Sequence, residues 1–469
     1  MFCLGFKTTD RVVFLVLAAT IAFGFPTLTA AQDTANDIPE SARKTIADLT
    51  ARVADLERVV GRLRSVQDEP WLSTRRAAEI RGLVQDVLAD ADTRSSLLQD
   101  GLTAGWNKNF FLGSADGNFL LKVQGQLQAR FVYNTQDNSP DDDHRWGFEN
   151  RRTKLIFSGN VIDPSWQYRI QSSASRDGGS FGLQDAFIAK AFGDHWTLRI
   201  GQFKPPFMRE ELVSSARQLA VERSLVNEEF NQGRSQGVEL AYSSDQFKAA
   251  MMLNEGFDRD NTSALTEDTE FAITARAEAL LAGSWGQFKD FTSWADETTA
   301  VMIGAAVHYE RDEFGTGDGL FVDADGDGLD DTANDDELET LAFTADLSLE
   351  FGSANAFAAV VYRDLDSDSV DAEQLGVVVQ GGVFLTNEWE IFARYEWGDL
   401  DRAGVDDLSV ITFGVNRFWD KHALKWSMDV GIGLNEIAEP WSASGAGWRT
   451  DGVGQDGQIV VRSQMQLLF

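Results

Sequence analysis

Beyond its first 31 residues the chain has no run of about 18 consecutive apolar residues, so no transmembrane helix is expected there. It has one cysteine, Cys3, inside that leading stretch, which excludes a disulfide framework from the rest. Basic residues are few: 41 Lys and Arg against 74 Asp and Glu, a net charge of −33, which argues against nucleic acid as a partner. The four histidines, at 144, 195, 308 and 422, lack metal-ligand spacing, and no Ser/His/Asp grouping stands out, so no enzyme is expected.

Aromatic residues, by contrast, are abundant, with 32 Phe and 13 Trp, a supply that suits interfacial girdles as well as a large core. The N-terminus carries Lys7 and Arg11, then the apolar run VVFLVLAATIAFGF, Pro26 and TLTAAQD. This pattern is that of a secretory signal peptide over 1–31, cut after Ala30 or Ala31. Within 32–104 the period is helical. Ile46, Leu49, Val53, Leu56, Val60 and Leu63 alternate steps of three and four, the seam of a short coiled coil or of one arm of a helical hairpin. A second helix is expected from Ser73 to Leu98.

From residue 118 the period becomes two. In NFLLKVQGQLQARFVY, Phe119, Leu121, Val123, Leu127, Phe131 and Tyr133 share one face, and Lys122, Gln124, Gln126, Gln128 and Arg130 the other. Sixteen such strands are expected, from 118–133 to 457–469, joined by alternating short and long connections, with 282–299 long where a short turn is due. The pattern predicts an all-β fold: a 16-stranded antiparallel transmembrane β-barrel over 105–469, preceded by a short α-helical segment on the periplasmic side. IVVRSQMQLLF (459–469) reads as the closing strand, its terminal Phe469 resembling an outer-membrane insertion signal.

The lumen-facing positions of the first strands carry Arg130, Arg152, Lys154, Arg169 and Arg199, a basic wall; later strands place Glu278, Asp346, Glu350, Glu390 and Glu396 on the same face. The longest connection, 204–235, holds Lys204, Arg209, Arg217, Arg223 and Arg234 against five glutamates, and a loop of that length can fold inward as a constriction. Another loop, DADGDGLDD, sets Asp323, Asp325, Asp327 and Asp331 at positions 1, 3, 5 and 9 of a calcium loop, without the closing Glu. Its two readings are a calcium-stapled external loop and a bare acidic one. No other cofactor is required.

The segment LRIGQFKPPFMREELVSSARQLAVERSLVNE (198–228) resembles the phosphate-selective porin O and P family, supported by LKVQGQLQARF (121–131), ENRRTKLIFSGNV (149–161) and LQDAFIAKAF (183–192). The resemblance implies a trimeric barrel in the lipid of the outer membrane that passes small anionic solutes, with phosphate or polyphosphate selected by some members. It also implies constriction roles for Arg151, Arg152 and Asp185; Gln126 and Ala216 stand where selective members carry basic residues. The alternatives are a general or weakly cation-selective porin, and a structural protein linking membrane and cell wall through its helical segment.

Overall fold

The computed structural model describes residues 52, 55, 58, 101–136, 144–257, 259–263, 269–313, 337–367 and 370–469. The expected signal peptide, the expected second helix and the aspartates 323, 325, 327 and 331 lie outside the described residues. Of the heptad segment, Arg52, Asp55 and Arg58 are described; they are helical and exposed, with Arg58 3.4 Å from Asp55.

Among the described residues eighteen strands form one sheet. A hairpin comes first, β1 (Leu102–Trp106) and β2 (Phe110–Ser114). Then follow β3 (Leu120–Thr135), β4 (His144–Asn160), β5 (Trp166–Ala174), β6 (Phe181–Phe192), β7 (Trp196–Phe203), β8 (Ser235–Ser243), β9 (Phe247–Asn254) and β10 (Thr269–Ala282). The remainder are β11 (Ala300–Glu313), β12 (Glu337–Glu350), β13 (Ala354–Asp366), β14 (Asp371–Phe384), β15 (Trp389–Asp399), β16 (Leu408–Asp420), β17 (Leu424–Gly433) and β18 (Ile459–Leu468). Each of β3 to β17 pairs antiparallel with the next, and β18 returns to β3 from Ile459↔Thr135 to Leu468↔Gln126. Sixteen strands thus close a barrel with no free edge, as the period-two reading predicts.

The hairpin was not expected from the sequence. β2 pairs with β3 over Leu120–Val123, just past the stretch that β18 occupies, so strand structure starts ahead of residue 105. Five-residue strands are too short to show a period by themselves.

The barrel is inside out relative to a soluble protein. Ile188, Ile200, Met251, Leu253, Val379 and Phe413 are about half exposed on the outer face. Gln128, Arg276, Glu390, Glu396, Asn416 and Arg462 are buried on the inner one. Outward aromatics gather near the short-turn end, where the Tyr242 ring lies 5.1 Å from Trp196 and 6.4 Å from Phe247, in the manner of an interfacial girdle. Among the described residues no helix is long and apolar enough to cross a membrane.

Two bulges matter for the lumen. Gln128 pairs with Arg152 and Ala129 with Asn150, leaving Arg151 as the extra residue in β4. An extra residue shifts the alternation, which is how adjacent Arg151 and Arg152 reach the same carboxylate. In β6 the extra residue is Gln184, and it too lets neighbours face inward together: Gln184 accepts from Gln171 at 2.8 Å beside Asp185.

Candidate functional site

The connection 204–234 lies inside the barrel. It contains two short helices, α1 (Arg209–Leu212) and α2 (Leu225–Phe230), the second capped by Ser224, whose hydroxyl accepts from Asn227 N–H at 2.9 Å. Its apolar residues explain the inward fold. Phe207, Met208, Val213, Leu219, Leu225, Val226 and Phe230 are all at most 5% exposed. They pack on Phe357, Val361, Val378, Phe392, Leu408 and Val410 of β13–β16, where the inner wall is itself apolar. Gly376 permits the close approach, since a Cβ there would sit 2.6 Å from Val226 Cγ1. Ile437, Trp441 and Trp448 of the connection after β17 cover the cluster.

A second segment enters from the opposite mouth. The long connection at a short-turn position, 283–299, puts Phe291 4.8 Å from the Phe357 ring. It meets the loop directly: Arg209 donates to Phe288 O at 2.9 Å, and Phe291 N–H to Arg217 O at 3.4 Å.

A buried loop with little regular structure leaves backbone groups that need partners. The inner wall supplies them. Gln128 donates to Ser215 O (3.2 Å), Gln466 to Ala216 O (2.9 Å), Lys425 to Gln218 O (3.0 Å) and Asn416 to Leu219 O (2.9 Å). Arg394 donates to Glu222 O (2.8 Å) and Arg276 to Phe207 O (2.9 Å). Asp429 accepts from Val221 N–H (2.9 Å) and Glu396 from Leu225 N–H (2.5 Å). Several late-strand charges expected to face water are therefore buried against the loop or in wall pairs such as Arg276–Asp346 (2.7 Å), Arg394–Glu396 (2.8 Å) and Arg462–Asp429 (2.7 Å).

Glu222 is the charged hub of the loop. Its carboxylate meets Arg130 (2.6 Å), Arg151 (2.8 Å) and Arg152 (2.6 Å), and burial, which by itself raises a carboxyl, is outweighed by these three guanidinium groups, so it stays well below the usual carboxylate range. Arg130 also pairs with Glu149 and donates to Gly445 O at 2.7 Å.

Beside the loop, against β4–β7, an open cavity of about 340 Å³ remains. Among the described residues lining it are five cations, Lys154, Arg169, Arg199, Lys204 and Arg234, and one acid, Asp185. Asp185 accepts from Arg169 at 3.0 Å and Arg234 at 2.8 Å; Arg199 Nη2 donates to both carboxylate oxygens of Glu239 at 2.8 Å. Lys154 has no carboxylate partner among the described residues; its ammonium lies 3.4 Å from Ser215 Oγ. Lys204 touches Glu211 at 2.5 Å, yet burial, joined by Arg223 and Arg234, lowers it to about 7. Burial also acts on Glu211, but Arg223 and Lys204 outweigh it and hold that carboxyl at about 2.

The residues singled out from the sequence thus separate. Lys154, Arg169, Asp185, Arg199 and Lys204 line the cavity. Arg130, Arg151 and Arg152 meet at Glu222 on the loop's flank. Arg223 clamps the loop on itself through Glu211 (3.2 Å) and the carbonyls of Glu210 and Val213. Arg209 crosses to Ser348 Oγ (2.8 Å) and the 283–299 segment, while Arg217 is half-buried there. Gln126 donates to Ser215 Oγ at 3.1 Å at the cavity wall, and Ala216 is buried. Sequence reasoning named Arg234 in the loop but missed Glu222 as a hub, and Ser214 and Ser215 as lining; the density of charge in 204–235 was the available signal.

A closed antiparallel barrel, apolar outside, polar within and narrowed by an inward loop, is the architecture of porins. The chain belongs to the phosphate-selective porin O and P family, whose model matches residues 121–431. It is 24% identical over 272 residues to an uncharacterized protein of Aquifex aeolicus (strain VF5); the match takes in 52% of this chain and spans 61% of the length of that curated relative. Among solved structures it is similar to an anion-selective porin from Comamonas acidovorans, with TM-score 0.50, 14% identity, and 74% and 99% of the two chains covered. OmpT of Vibrio cholerae is similar in fold to the same degree, with TM-score 0.50, 12% identity, and coverage of 75% and 98%; a trimer form of OmpT matches at TM-score 0.50, 13% identity, and coverage of 74% and 99%.

Proposed function

We propose that this chain is an outer-membrane porin, a passive channel through which small hydrophilic anions, phosphate among them, cross beside the inward loop. The observation that carries the reading is the cavity against β4–β7, where five basic side chains and one acid are among the lining residues, with Glu239 and Glu211 paired to two of the basic ones, in a chain whose net charge is −33. A basic lining raises the local concentration of anions and lowers that of cations. Arg169, Arg199 and Arg234, whose guanidinium groups stay charged at any working pH, are the leading contributors, with Lys154 and Lys204 beside them. Arg130, Arg151 and Arg152 set the field more weakly, because Glu222 offsets part of their charge. The family supports a channel and its name supports phosphate; the Comamonas neighbour is described as anion-selective. We also propose that the N-terminal segment is helical and periplasmic and that the assembly is a homotrimer.

The test is a reversal-potential measurement on the purified protein in planar bilayers under a KCl gradient, followed by a phosphate titration. A potential on the chloride side, with phosphate reducing the current, supports the reading. Cation selectivity refutes it.

A further inference from the structure

The cavity is not uniformly polar. Along β4 the inward positions read Arg152, Lys154, Ile156 and Ser158, so an isoleucine stands on the wet face two residues from Lys154. Leu212, at the end of α1, lines the same cavity and is 36% exposed inside it. Phe187 completes this side, its ring 5.1 Å from the Arg199 guanidinium. Elsewhere in the lumen, inward apolar residues such as Val361 and Val378 lie buried under the loop. Ile156, Leu212 and Phe187 stay outside that cluster and keep contact with the cavity.

A bare inorganic oxyanion has no use for this surface. Its hydration shell gains nothing against leucine and isoleucine, and water left there is unfavourable. An anion with an apolar body covers it while its charged head meets Arg169, Arg199 and Arg234. A cavity of about 340 Å³ sits at the small end of ligand sites, large enough for a single ring. Resting on the anion-channel reading above, we infer that this cavity is a binding station for small organic carboxylates bearing an aromatic or branched apolar group. The cations hold the carboxylate, and Ile156, Leu212 and Phe187 hold the body.

The test compares acetate, cyclohexanecarboxylate and benzoate as blockers of single-channel KCl current through the full chain. All three carry one carboxylate, so differences report the apolar part. Half-block is expected at concentrations lower by roughly tenfold for the two ring compounds than for acetate, the gain from covering modest apolar area. In Ile156→Ser/Leu212→Ser that gap is expected to narrow to within about twofold. Equal block by all three in a wild-type channel that remains anion-selective overturns this inference and leaves the channel reading standing. A cation-selective wild-type channel overturns both. The wild-type series decides without the variant, so a variant that fails to insert leaves the test intact.

Discussion

Replacing Glu222 with Gln removes one negative charge from the meeting point of Arg130, Arg151 and Arg152 while keeping the side chain's size. Two outcomes compete: the loop lets go, or it stays and the lumen becomes more positive. Breaking a buried ion pair by removing one partner costs about 3–5 kcal/mol. Against this stand seven apolar side chains of the loop, each at most 5% exposed. At about 1.5–3 kcal/mol apiece they contribute roughly 10–20 kcal/mol, an upper bound for a chain with a compact unfolded state. Burial therefore wins, and the loop is expected to stay docked, with unitary conductance changed by less than about twofold. The charge effect remains. One added positive charge about 8 Å from a passing ion is worth about 0.5 kcal/mol in water, with opposite signs for chloride and potassium. The permeability ratio is then expected to rise about fivefold without salt, or about twofold at 0.1 M, where the screening length is about 10 Å. Single-channel recording of wild type and Glu222→Gln, with reversal potentials at both ionic strengths, measures this. A severalfold rise in conductance with unchanged selectivity refutes the reasoning, because it means the ionic hub rather than the apolar cluster holds the loop.

Lys204 sits near half-protonation at neutral pH, and its cationic form is the one present below about 7. Lowering the pH from 8 to 6 takes it from about one tenth to about nine tenths charged, so chloride preference is expected to rise over that interval and to lose this rise in Lys204→Met; identical pH responses in the two proteins contradict the assignment. At the barrel seam, Gly125 exchanges backbone hydrogen bonds with Phe469 at 2.6 and 3.1 Å, and a Cβ on it would lie 2.2 Å from the Phe469 ring. Gly125→Ala is expected to displace that ring and reduce the heat-modifiable, folded fraction on unboiled SDS gels; a wild-type fraction counts against the seam's dependence on this contact.

How much could be read in advance varies by element. The strands were legible because most inner faces meet water or polar loop groups and each outer face is apolar, so period two survives along nearly every strand, the apolar inner wall of β13–β16 being the exception. The short β1 and β2 carry no such signal. The basic wall was legible as well: Lys154, Arg169 and Arg199 fall on inward positions of their strands and line the cavity. The fate of Arg130 and Arg152 was not, since both occupy the same kind of position yet meet a glutamate 92 and 70 residues away. The unusual length of 282–299 marked an exception, but nothing local showed that Phe291 would reach Phe357.

The sequence by itself determined the sixteen strands of the closed barrel, the inside-out polarity and the family likeness, because these follow from alternation and from segments read in order. Only the tertiary structure decided which charges stay open to the lumen. Closing the barrel brings β3 against β18 and sets the apolar wall of β13–β16 opposite the connection after β7. That wall draws the loop to one side, where it buries one set of cations, and leaves the other set facing a cavity.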